Sequence, residues 1–167
     1  MTTPIRDDPF AVLEDARIAT VLRRLHGEAD RQHLSIIRHF LPHVLSYVRR
    51  RFIPFAESEM AGFYADKYIA IIEAQGAFAY LTARALRART VVEFGTSFGL
   101  STLWLAAAVR ANGGGRVVTT EIVPDKARIA RRNFEEAGLA DLIDVREGDA
   151  LASLATDPAD IDLVLND

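Results

Sequence analysis

The chain has 167 residues, half of them hydrophobic and 26% charged, with a formal net charge of −3. That is a globular composition for one domain, or one domain with a helical appendage, and it offers no basic excess to a nucleic-acid partner. There is no cysteine, which excludes disulfides, thiolate metal sites and a cysteine nucleophile.

Residues 1–8 lack the apolar run of a signal peptide, and no stretch approaches the roughly 20 apolar residues of a membrane span. The expected location is the cytoplasm, with no membrane partner. Basic charge is nearly all arginine, Lys67 and Lys126 being the two lysines, a bias that fits a GC-rich bacterial genome.

Residues 1–88 read as a helical region. Asp8-Pro9 places a capping side chain before a proline at a helix start. Phe10, Leu13, Ile18, Val21, Leu22 and Leu25 then share one face, and Gly27 is the expected stop. Leu34, Ile37, Phe40, Leu41, Val44, Leu45 and Val48 give a second helix, kinked by Pro42. Pro54 separates a third segment, starting near Glu57. A break over residues 68–75 leads into a helix from Gly76 to Arg87.

The period then changes. Thr90–Phe94 is a β-branched run, and Ser101–Arg110 an alanine-rich helix. Asn112–Gly115 is a loop, and Arg116–Ile122 a strand with Glu121 at its end. Pro124–Ala137 is a helix stopped by Gly138. Leu142–Arg146, Ala150–Leu154 and Ile161–Leu165 read as strand, short helix and strand. Strands alternating with helices predict an α/β fold, its parallel strands joined by right-handed crossovers.

The chemistry concentrates at Glu93-Phe94-Gly95-Thr96-Ser97-Phe98-Gly99-Leu100-Ser101. A strand enters a glycine turn and leaves through a helix start, whose free backbone N–H groups suit an anionic group. The pattern is E-x-G-x-x-x-G, not the G-x-G-x-x-G of a dinucleotide turn. An acid before the first glycine would repel a pyrophosphate but suit an ammonium or sulfonium group. Glu121, at the next strand end, can accept from both hydroxyls of a ribose, and Asp149 from an adenine amino group. S-adenosylmethionine carries all of these parts.

VVEFGTSFGLSTLWLA, TTEIVPDKARIARRNFEEAGL and IDVREGDAL resemble successive motifs of the class I S-adenosylmethionine-dependent methyltransferases. The G-x-S-x-G-x-S form of the turn, with Gln75-Gly76 before it, resembles the small-molecule O-methyltransferases of the catechol and caffeoyl-CoA type. The resemblance covers roughly residues 68–167. It implies a Rossmann-like parallel sheet over 89–167, preceded by the helices of 1–88, and methyl transfer to a hydroxyl of a small-molecule acceptor. It places Glu93, Gly95, Thr96 and Gly99 around the methionine end of the cofactor, and Ser101 on its carboxylate. Glu121 falls on the ribose, Asp149 and Ala150 beside the adenine.

Asp167 matches the acid that binds a divalent cation in metal-dependent members, a Mg2+ site that would make it a catalytic residue. Asn166-Asp167 departs from the pairing of the caffeoyl-CoA branch, so metal dependence stays open. The family fold has seven strands against four here, which implies a sheet cut off after its fourth strand and a natural chain that continues. A homodimer is the default assembly.

Plainer readings compete. Glu93 could pair with an arginine, Glu121 could be a surface acid, and Asp149 could be a helix cap. The run Arg49–Arg51 reads as a solvated helix end, and His26, His33, His39 and His43 as solvated histidines. Trp104 reads as packing, and so do Phe63, Tyr64 and Tyr68, near Lys67, with a cap over the acceptor pocket as the alternative. The rival functions are a non-catalytic S-adenosylmethionine-binding or assembly module and a nicotinamide-dependent Rossmann enzyme.

Overall fold

The computed structural model describes residues 8–32, 67–68, 71–155 and 158–166. Asp8 caps as expected, accepting the N–H of Phe10 at 3.1 Å, with Pro9 in the first turn. That turn is a short 3-10 stretch, Pro9–Val12, rather than the start of a long helix. A second start follows, where Asp15 accepts the N–H of Arg17 at 2.8 Å.

The helix so begun, α1, is continuous over 16–32 and runs through Gly27. The expected stop at Gly27 is therefore incorrect. An interior glycine costs only about 1 kcal/mol, and α1 buries Ile18, Val21, Leu22 and Leu25. Burial of each such side chain contributes about 1.5–3 kcal/mol, so packing outweighs propensity. The segments expected over 34–48 and from Glu57, with Arg49–Arg51, His33, His39, His43, Phe63 and Tyr64, lie outside the described residues.

The next helix, α2, spans Glu73–Ala85, starting three residues earlier than its apolar pattern suggests. The Gln75 side chain accepts the N–H of Ile72 at 3.1 Å and closes this early first turn. Then come β1 (Thr90–Phe94), α3 (Leu100–Ala111), β2 (Arg116–Glu121), α4 (Pro124–Ala137), β3 (Ile143–Glu147), α5 (Ala150–Ser153) and β4 (Leu163–Asn166). The alternation is the expected one, with boundaries moved by at most three residues.

All strand pairs are parallel, in the order β3-β2-β1-β4. The chain winds outward from β1 to β3 and then returns to the other side of β1. That reversal is a topological switch point, where open parallel sheets bind ligands beyond their carboxyl strand ends. The fold is thus α/β and Rossmann-like, with helices ahead of the sheet.

Helix α3 contacts both the sheet and α2, and its residues from Leu100 to Val109 are all buried. At its centre Trp104 is fully buried and stacks on Phe10 with ring centroids 5.4 Å apart. One hydrophobic cluster joins Phe10, Leu22 and Leu25 to Leu103, Val91 and Phe134, so the core crosses the expected 88/89 boundary without a break. His26 lies edge-on against two of its rings, Phe10 and Trp104. The expected solvated histidine is instead 4% exposed, its Nε2 accepting the indole N–H of Trp104 at 3.3 Å. Among the described residues no helix is long and apolar enough to cross a membrane.

Candidate functional site

At the end of β1 the chain turns at Gly95, with φ of 93°. The N–H groups of Gly95 and Thr96 both donate to the Thr120 carbonyl, at 3.2 and 2.9 Å. Thr96 is buried, and its hydroxyl donates to the same carbonyl at 3.0 Å. The turn is thereby tied to the tip of β2. Ser97 follows in the left-handed region, with φ of 48°, an uncommon conformation outside glycine.

The Ser97 N–H points at Glu121. The Glu121 Oε2 accepts it at 2.7 Å, while Oε1 accepts the N–H of Val123 at 2.8 Å. Each carboxylate oxygen has a second lone pair for a further donor. Gly99, with φ of 91°, then starts α3, and no side chain caps that helix. Its first-turn amides suit an acceptor supplied by a ligand. Ser101 is buried in the same first turn.

Gly95, Glu121, Gly148, Asp149 and Ala150 line one cleft of about 390 Å³ at the strand ends, within the range of roughly 300–1,000 Å³ usual for small-ligand pockets. Asp149 is exposed there and also caps α5, its Oδ1 accepting the N–H of Leu151 at 2.8 Å. Asp149 is thus a helix cap that also lines the cleft.

Glu93 is elsewhere. It is fully buried and does not reach the cleft wall. The register pairs Glu93 with Thr119, two residues before Glu121 on the same face of the sheet. It therefore sits one pleat repeat, about 6–7 Å, beneath the mouth. Its Oε2 accepts hydroxyl bonds from Thr102 and, at 2.7 Å, from Thr119. Asp167 lies outside the described residues. No group of three or more His, Asp or Glu side chains among the described residues is placed to hold a metal ion.

Ser97 was not singled out by sequence reasoning, although its position inside the E-x-G-x-x-x-G turn is a usable signal. Phe98 was passed over as well. Its carbonyl accepts from Asn133 Nδ2 at 2.9 Å, and its ring packs on Tyr68 with centroids 4.3 Å apart. Tyr68 thus packs against the core, as the plainer reading expected, and supports the turn through Phe98.

Residues 92–167, which include the glycine turn, Glu121 and Asp149, match the methyltransferase domain family. The sheet half of this chain is similar to a methyltransferase domain. A catechol O-methyltransferase from Mycobacterium tuberculosis is 48% identical over 88 residues, 53% of this chain and 39% of that protein. One from Niastella koreensis is 37% identical over 83 residues, 50% of this chain and 37% of the relative. The match thus spans under two-fifths of these curated relatives.

Among solved structures, an O-methyltransferase from Bacillus cereus in complex with S-adenosylhomocysteine is 34% identical, with a TM-score of 0.58. The alignment covers 73% of this chain and 59% of that one. An O-methyltransferase from Streptomyces achromogenes, involved in tomaymycin synthesis and in complex with S-adenosylmethionine, is 32% identical, with a TM-score of 0.56, over 73% of this chain and 58% of its own. In sequence and in fold the matched part of this chain is similar to O-methyltransferases, two of them solved with S-adenosylhomocysteine or S-adenosylmethionine bound.

Proposed function

We propose that this chain binds S-adenosylmethionine in the cleft at the ends of β1, β2 and β3 and serves methyl transfer to a hydroxyl of a small molecule. The observation that carries the reading is the Glu121 carboxylate. It is held by two backbone amides beside a helix start without a side-chain cap, in one cleft with Asp149. A diol donor, an anionic tail and an exocyclic amine would each find a complementary group there. The named relatives and the ligands of the solved neighbours support the same reading.

In this reading Glu121 orients the ribose through its hydroxyls. Asp149 accepts from the adenine amino group, and Ala150 packs beside the ring. Gly95 leaves room for the ligand against the backbone. Thr96 and Gly99 shape the turn, and Ser101 with the α3 amides receives the amino-acid carboxylate. Glu93 lies beneath this end of the site and holds the Thr102 and Thr119 hydroxyls behind the turn. Bound there, S-adenosylmethionine would supply an electrophilic methyl group, and the protein's share is to hold acceptor and donor in line. If the acceptor needs a divalent cation such as Mg2+, the resemblance assigns its binding to Asp167.

We place the cofactor site in residues 89–167 and the acceptor-side and assembly roles in 1–88, in a cytoplasmic and homodimeric protein. Calorimetric titration with S-adenosylhomocysteine tests the cofactor reading, with NADH as the contrasting ligand. Binding of the first and not the second is expected; the reverse would replace this reading with a nicotinamide enzyme. Methyl transfer to a panel of catechols, with and without magnesium, then separates an enzyme from a binding module.

A further inference from the structure

The glycine turn is supported by side chains that lie far from it in sequence. Asn133, on α4, is 5% exposed and donates from Nδ2 to the Phe98 carbonyl at 2.9 Å. Its Oδ1 accepts from Arg24 Nη2, on α1, at 3.0 Å. The other arm of that guanidinium, Nη1, donates to Glu28 Oε1 at 2.9 Å. Glu28 Oε2 accepts the phenol of Tyr68 at 2.6 Å, and the Tyr68 ring packs on Phe98. The contacts close a ring: Phe98, Asn133, Arg24, Glu28, Tyr68, and back to Phe98.

Charge reinforces it. Burial opposes ionisation of Glu28, but the bonds from Tyr68 and Arg24 outweigh it and hold the carboxyl below its usual range. Burial and the bond to Glu28 raise the Tyr68 phenol, which stays protonated as the donor. Tyr68 is also fixed through its backbone N–H, which donates to Gln32 Oε1 at 2.9 Å. Lys126 Nζ lies 5.4 Å from the Phe98 ring centroid.

Phe98 occupies the position between the two parts of the turn that matter for a ligand. Before it, Ser97 gives its N–H to Glu121. After it, Gly99 begins α3. Moving the Phe98 peptide would turn both. We infer that Asn133, Arg24 and Tyr68 are positioning residues for the cofactor, a clamp by which α1 and α4 hold the turn in the shape that receives the amino-acid end. This rests on the cofactor reading above. It goes beyond it in giving the helical region a part in cofactor affinity.

The test compares binding of S-adenosylhomocysteine with binding of adenosine, which lacks the amino-acid tail, by titration calorimetry on the full chain. In Asn133→Ala the Phe98 carbonyl loses its buried partner, and the peptide that it fixes is released. Affinity for S-adenosylhomocysteine is expected to fall by about tenfold or more while adenosine changes less than about threefold. Tyr68→Phe, which keeps the ring and removes one oxygen, is expected to shift the same ratio in the same direction, and it carries the test should Asn133→Ala fail to fold. Arg17→Met is the structural control. Arg17 donates to the Glu136 and Glu135 carbonyls at 2.6 and 3.0 Å and ties α1 to the C-terminal end of α4 without touching Phe98, Asn133 or Tyr68. It should lower the Tm and leave the ratio unchanged. Equal ratios in wild type and Tyr68→Phe, or a shift matched by Arg17→Met, overturns the clamp. A wild-type chain that binds neither ligand overturns the cofactor reading, and the clamp with it.

Discussion

The carboxylate of Glu121 and the backbone N–H of Ser97 meet at 2.7 Å, so the acid at the tip of β2 is part of the turn that follows β1. Glu121 is only 7% exposed, and both of its oxygens face backbone donors. Glu121→Gln would set an amide N–H₂ against one of those N–H groups. The mutant should lose about 1–3 kcal/mol of stability for the unpaired donor, and about tenfold or more in S-adenosylhomocysteine affinity. Denaturant unfolding and calorimetry read the two separately. Unchanged affinity in a folded Glu121→Gln would remove this residue from the site.

Glu93 calls for a different experiment, because it lies beneath the cleft and cannot touch a ligand in the described arrangement. Glu93→Ala would leave the Thr102 and Thr119 hydroxyls buried without their shared acceptor. A destabilisation of about 2–4 kcal/mol is expected. Glu93→Gln can keep an oxygen toward both hydroxyls and should recover most of that loss. Denaturant unfolding of the two variants checks this. Equal losses in both would show that the two hydroxyls do not depend on that oxygen.

These two acids also show how far the sequence can be read. The E-x-G-x-x-x-G spacing locates the turn, because only a few residue types tolerate the backbone at Gly95 and Gly99. It does not reveal that Glu93 stops one pleat short of Glu121, which depends on the pairing of β1 with β2. Local propensity likewise misleads at Gly27, where tertiary packing carries α1 through a residue that would end an isolated helix. His26 has the composition of a surface residue and the position of a core one. The Arg24–Asn133 bond joins residues 109 positions apart, and no local pattern in one sequence signals such a contact.

Gly99 is where turn and helix packing depend on the same missing atom. A Cβ there would approach the Phe134 ring to 2.3 Å, and the φ of 91° is one that side chains rarely adopt. Gly99→Ala combines a left-handed strain of about 1–2 kcal/mol with overpacking of about 1–3 kcal/mol. A loss of a few kcal/mol is expected. Phe134→Leu in the same chain should recover part of the packing component and none of the strain. Thermal unfolding of the single and double mutants checks this, and an undiminished Tm in Gly99→Ala would show that α4 can move away from the turn.

Acid should weaken the protein through His26. Burial in the cluster around Trp104 pushes this imidazole down to about 4, against the opposing charge of Asp30 on the same helix. From other elements it meets the rings of Phe10 and Trp104, and it shares a small cavity with Tyr68 and Glu73. Its Nε2 accepts the indole N–H, so protonation would set two donors against each other. The unfolded chain takes up the proton near pH 6.5 and the folded chain only near 4. Between those values the unfolded state binds more protons, and stability falls as pH falls. The full effect below the folded value is on the order of 3 kcal/mol. Carboxylates elsewhere also titrate in acid, so the measurement is a difference: urea unfolding of wild type and His26→Gln from pH 7 to 4. Glutamine can still accept from Trp104 but does not titrate. The gap between the two proteins should therefore narrow, or reverse, by about 2–3 kcal/mol across that range. Parallel curves would mean that the imidazole is not held neutral by its burial.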